Sequence, residues 1–121
     1  MMLDWNEFHG QVLSRIADVG RLSPDTMRGY HAISEAGAKT AKLDAKTREL
    51  IALAVAVTRQ CDGCIAVHTD AAVRHGASRE EIVEALGVAV AINAGATLVY
   101  SGRVMDAYTA MAETAVAAAA R

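Results

Sequence analysis

The chain lacks most of what stiffens, cross-links or strongly charges a protein. One proline in 121 residues leaves long helices uninterrupted. With one phenylalanine, one tryptophan and three tyrosines, the core must be built from small aliphatic side chains, alanine above all. A net charge of −2 and no run of basic residues argue against nucleic acid as a partner. Two cysteines are too few for a disulfide scaffold, and they fit a working dithiol in a reducing cytoplasm. No charged segment followed by an apolar stretch opens the sequence, so no secretory signal is expected.

One segment imitates a membrane span. Ile82 to Tyr100 has only Glu84 and Asn93 as strongly polar residues, at close to spanning length. A charge near its start and an expected helix break at Asn93-Ala94-Gly95 favour buried core over a membrane.

What is present is helical punctuation. Asp4 is placed to cap a first helix to about Val19, with Trp5, Phe8, Val12, Leu13 and Ile16 on one apolar face and Gly20 as its stop. Ser23-Pro24 starts a second helix, serine at the N-cap and proline where a missing N–H costs nothing, running to about Glu35 or Ala36. Asp44 caps a third. Cys61 opens a shorter one that ends near His75-Gly76, and Ser78 with Glu81 forms a capping box for the next. A last helix is expected from about Thr97 into the alanine-rich tail. The expectation is all-α: one domain over residues 1–121, a bundle of about six helices.

Two segments are apolar nearly all round, Leu50 to Val57 and Ala85 to Ile92. A helix apolar on every side must be buried on every side, and a domain of this size has little chain with which to surround two of them. A homo-oligomer with closed symmetry resolves the difficulty. Trp5, Tyr100 and Tyr108 are expected in the core.

The chemistry concentrates between Glu49 and His68. Both cysteines lie in Cys61-Asp62-Gly63-Cys64, with His68 four residues further on. On a helix starting at Cys61, residues 61, 64 and 68 share a face. Cys61 near the N-cap and Cys64 near N3 both feel unpaired N–H groups and the positive end of the helix dipole, which favour the reactive thiolate. His68, one turn beyond Cys64, is placed to take a thiol proton or return one to a leaving oxygen. Helix-start electrostatics single out Cys61 as the reactive thiol, whereas the neighbouring histidine singles out Cys64. Gly63 permits close approach to the turn between the sulfurs. Glu49 abuts the apolar block, and a carboxylate partly withdrawn from water is suited to act as a base near neutrality.

Other uses of these residues compete. Cys61, Cys64, His68 and His75 contain the right ligand types for zinc, but all four would crowd one helix, with His75 two turns beyond His68. Two inert buried cysteines are a second alternative, against which stand the polar and glycine neighbours Gln60, Asp62 and Gly63. His9, His31 and His75 read as surface or packing histidines, and Arg59 and Arg103 as solvated or ion-paired.

The segments Glu49 to Val57, Cys61 to His68 and His75 to Ile82, with Asn93-Ala94-Gly95-Ala96 and Tyr100, resemble the carboxymuconolactone decarboxylase family in its AhpD-like alkylhydroperoxidase branch. The likeness covers roughly Asp44 to Ala110. It implies an all-helical fold and a trimer or hexamer. It also implies roles: Cys64 attacks a hydroperoxide and becomes a sulfenic acid, Cys61 resolves it to a disulfide, and His68 with Glu49 relays protons. The histidine that AhpD proteins carry before the second cysteine is Gly63 here, which implies a simpler relay. AhpD proteins also have two related halves, where this chain has one copy of the motif. The family's true decarboxylases lack the cysteine pair.

The sequence therefore points to a thiol-dependent hydroperoxide reductase, re-reduced by an external thiol or dithiol, needing no metal, flavin or haem because sulfur carries both electrons. Disulfide exchange without peroxide uses the same equipment. A lyase using Glu49 and His68 without the cysteines, and a redox sensor without turnover, are the rivals.

Overall fold

A computed structural model of the chain describes residues 1–121. It is all helical, with five helices: α1 (Trp5–Leu22), α2 (Pro24–Thr40), α3 (Ala45–Thr58), α4 (Asp62–Arg74) and α5 (Arg79–Ala119). The caps follow from local chemistry. The carboxylates of Asp4 and Asp44 accept from the N–H groups of Glu7 (3.0 Å) and Thr47 (2.8 Å), satisfying donors that the first turn leaves without partners. Ser78 and Glu81 form the reciprocal capping box, with Glu81 N–H donating to Ser78 Oγ (3.0 Å) and Ser78 N–H to Glu81 Oε2 (2.8 Å). Ser23 departs from expectation: its hydroxyl pairs with that of Thr26 at 2.7 Å, not with the backbone.

The helices end later than the glycines suggest. α1 continues through Gly20, which faces Met27 of α2, and α2 continues through Gly37 to Thr40. The expected break at Asn93-Ala94-Gly95 does not form, so α5 is one helix and the total is five, not six. Glycine inside a helix costs about 1 kcal/mol relative to alanine, which one long run of continued hydrogen bonds absorbs. The Thr97 hydroxyl donates to the Asn93 carbonyl (3.0 Å) within that run.

The chain forms two compact units, Met1–Ala89 and Val90–Arg121. In the first, α4 is the central element, packed against α3 on one side and α1 on another, while α2 packs on α1. Its buried residues are Leu53 and Ala56 of α3, Ala66 and Ala72 of α4, and Ala89. Four of these five are alanines, so the helices approach closely and bury little apolar area per residue. The second unit is helical and its apolar side chains, including Leu98, Val99, Tyr100 and Val104, are exposed.

Three burial expectations are corrected. The Leu50–Val57 block buries one face only, leaving Ile51 and Val55 about half exposed. Ala85 to Ile92 buries Ala89 alone, so Ile82 to Tyr100 is not core within this chain. Tyr100 and Tyr108 lie in the open, and Trp5 is half-buried. The cause is common to all three: four other helices supply too little surface to enclose them.

Candidate functional site

The turn between α3 and α4 fixes the cysteine pair from both directions. Gln60 adopts the left-handed conformation (φ 51°). Its N–H donates to Val57 O (3.3 Å), and the next N–H, that of Cys61, reaches back to Ala56 O (3.2 Å). This paired pattern is the Schellman ending of a helix. Cys61 is also the N-cap of α4, its sulfur accepting from the N–H of Cys64 at 3.2 Å. One residue thus closes α3 and opens α4.

Cys61 and Cys64 are joined as a disulfide, with Cα atoms 5.2 Å apart. Both residues are half-buried. No cluster of three or more His, Cys, Asp or Glu side chains is arranged to hold a metal ion. His75 caps the C-terminus of α4, exposed and away from the sulfurs along the helix.

His68 follows Cys64 by one turn on the same face of α4. Its Nδ1 lies 2.7 Å from Oε2 of Glu49 on α3, nineteen residues earlier in the chain. The side chains are 32% and 21% exposed, enough withdrawn from water for the pair to hold its geometry. Glu49 therefore has a partner, whereas the sequence suggested only a position at the edge of the apolar block. With Nδ1–H donating to the carboxylate, Nε2 is left as the ring's proton acceptor. The four residues singled out in the sequence, Glu49, Cys61, Cys64 and His68, all lie where α3 meets α4.

The remaining candidates separate from this centre. His31 lies 3.9 Å from Glu35 on exposed α2. Arg103 stands over the Tyr100 ring at 5.1 Å, and Arg59 is exposed. His9 is half-buried between α1 and α4, not free on the surface.

Two contributors were missed in the sequence. Val12 of α1 sits against Gly63, where an added Cβ would lie 3.5 Å from its nearest methyl. What approaches the turn between the sulfurs is thus a side chain of the protein itself. Lys46 of α3 bonds Glu81 of α5 at 2.8 Å, tying together the N-terminal turns of two helices. That bond and the Ser78 N–H hold the Glu81 carboxyl below its ordinary value, and Glu81 holds Lys46 above its own. Neither could be foreseen, because each joins elements whose mutual placement is a tertiary fact.

Comparison with known proteins matches residues 24–107 to the carboxymuconolactone decarboxylase family. An uncharacterised protein of Haemophilus influenzae is 46% identical over 109 residues, covering 90% of this chain and 96% of that one. An uncharacterised protein of Cupriavidus necator is 31% identical over 93 residues, covering 77% and 82%. Among solved structures, the apo form of a carboxymuconolactone decarboxylase family protein from Legionella pneumophila superposes with a TM-score of 0.69 at 35% identity, covering 87% of this chain and 94% of that chain. With most of its length matched in sequence and in fold, this chain belongs to the carboxymuconolactone decarboxylase family.

Proposed function

We propose that the protein is a thiol-dependent hydroperoxide reductase of the AhpD-like kind, working in a reducing cytoplasm. The observation that carries this is a cysteine pair at a helix start, able to close as a disulfide, one turn from a histidine already bonded to a glutamate. His68 Nε2 takes the thiol proton of Cys64, and Glu49 stabilises the imidazolium that results. The Cys64 thiolate attacks the terminal oxygen of ROOH. The O–O bond breaks, the alkoxide leaves and receives the proton from His68 as ROH, and Cys64 becomes a sulfenic acid. The Cys61 thiolate then attacks Cys64 sulfur, the S–S bond forms, and hydroxide leaves to be protonated as water by the proton that Cys61 gave up. An external dithiol returns two electrons by thiol–disulfide exchange.

The same dithiol can act on a disulfide without meeting peroxide, and Glu49 with His68 could serve a lyase without either cysteine. Steady-state turnover of an organic hydroperoxide with dithiothreitol separates these. Turnover abolished by Cys64→Ser supports the reductase. Activity on a lactone or disulfide with no peroxide consumption would replace it.

A homo-oligomer, trimer or hexamer, is part of the proposal. Its support is the run of open apolar side chains on α5, including Val90, Ile92, Leu98, Val104 and Met111. α5 is also long and apolar enough to cross a membrane by length and composition. Arg103, Asp106 and Glu113 within its second half favour protein cover over lipid.

A further inference from the structure

α1 precedes the stretch that matches the family, residues 24–107, yet it packs directly on α4. Where Val12 meets Gly63 the seam between the two helices is closed. Toward the start of α1 it opens into a groove of about 470 Å³, within the range of small-molecule sites. Trp5, Asn6 and His9 form one wall, and Ile65, Thr69 and Asp70 form the other, over a floor at buried Ala66. Ile65 is next to Cys64 in the chain and one turn after Cys61 on the same face of α4. The groove thus borders the dithiol.

Its polar groups are uncommitted. The Thr69 hydroxyl makes no hydrogen bond in the structure, whereas Thr58, Thr97, Thr109 and Thr114 all return theirs to their own helix. The half-buried His9 ring has no hydrogen-bond partner. Asp70 Oδ2 accepts from both Nε (2.9 Å) and Nη2 (2.7 Å) of Arg74, which leaves Oδ1 open as an acceptor. Arg74 also neutralises that carboxylate, so the groove does not select a cation. An indole face and an isoleucine beside neutral donors and acceptors suit a compact apolar body bearing one hydroxyl-type group.

We propose that the α1–α4 groove binds alcohols and hydroperoxides with a compact aryl or branched-alkyl body, presenting the hydroperoxides to the adjacent cysteines. Only the second half of that statement rests on the peroxidase reading. Trp5 is the specificity-determining residue, and as the single tryptophan it also reports on the groove.

The first probe is 2-phenylpropan-2-ol, the alcohol left by reduction of cumene hydroperoxide, titrated against Trp5 emission of the whole protein. A saturable change is expected, suppressed in His9→Ala and in Asp70→Asn, which retain the tryptophan. Turnover is then compared for cumene hydroperoxide and hydrogen peroxide. The ratio of their kcat/KM values should fall about tenfold in Trp5→Ala, the equivalent of one lost aromatic contact, and be restored in Trp5→Phe. Saturable binding without turnover of any peroxide keeps the groove and removes the peroxidase reading. A linear, unsaturable fluorescence response overturns the groove, independent of how the alanine variant folds. Emission that responds to protein dilution and not to the alcohol also overturns it, because the groove is then covered by a second copy of the chain.

Discussion

His68 and Glu49 divide one task. The imidazole moves the proton, while the carboxylate fixes which nitrogen is free to do so and steadies the charge that forms. Removing the ring removes general acid–base assistance, which contributes about 10²–10⁴-fold. We therefore expect His68→Ala to lower kcat/KM for an organic hydroperoxide by at least about 10²-fold. Glu49→Gln preserves a side chain of the same shape without its charge and should cost about tenfold, by the usual scale of a lost ionic partner. Because both act on one proton, the double variant should be little worse than His68→Ala alone. Losses that multiply would mean the two residues serve different steps. The cysteines also differ. Cys61→Ser should trap a sulfenic acid on Cys64, detectable by mass, while Cys64→Ser should trap nothing. Reversal of that pattern would make Cys61 the attacking thiol, as its N-cap position alone suggests.

The elements are held by their ends. α3 and α4 both close with the same pattern of back-bonded N–H groups, at Gln60 (φ 51°) and at Gly76 (φ 81°). A side chain in the left-handed region costs about 1–2 kcal/mol. Gly76→Ala should therefore destabilise the fold by about 1 kcal/mol, seen in the urea midpoint with unchanged slope. Gln60→Gly should shift it the other way by up to about 1 kcal/mol, since part of the relief is offset by a freer unfolded chain. A loss in Gln60→Gly would mean the glutamine side chain contributes a contact of its own. The α3–α5 tie carries a pH signature. Glu81 is held below its ordinary value of 4.5, chiefly by Lys46, so its contribution is complete above that pH and disappears as pH falls through the lowered value. Lys46→Met should lower the Tm near neutrality, and the gap to wild type should close as the solution is acidified below about pH 4.5. A gap constant across that range would show that the ion pair adds nothing. These ends also explain what could be read from sequence. Asp4, Asp44 and Ser78 mark helix starts correctly, because an N-cap is a bond between residues a turn apart. Stops are less legible: glycine ends a helix only where the backbone turns left-handed. Gly20, Gly37 and Gly95 lie inside helices, while Ala41 and Gln60 adopt the turn. The cysteine stripe followed from helical spacing. The Glu49–His68 bond and the Trp5 groove did not, because they depend on which helices become neighbours.

At the scale of the whole chain, apolar surface exceeds what the chain covers. No large side chain is fully buried, and the core is one leucine with four alanines. α5 leaves Leu98, Val99, Val104 and Met111 open along its second half. A chain with so small a core gains stability by association, and its Tm should rise with protein concentration. Light scattering coupled to size-exclusion chromatography should give a mass of three or six chains in the absence of detergent. Leu98→Glu should shift that mass downward and remove the concentration dependence. A monomer of wild-type protein, or protein recovered only with detergent, would contradict an assembly of this kind.

The central claim is that Cys61 and Cys64 spend two electrons on a hydroperoxide. Its most direct test is one equivalent of cumene hydroperoxide added to the reduced protein, followed by intact mass and thiol titration over time. The account predicts loss of two hydrogens and of both thiols within the mixing time, abolished by Cys64→Ser and slowed by His68→Ala. Thiols that persist unchanged beside intact peroxide would contradict it.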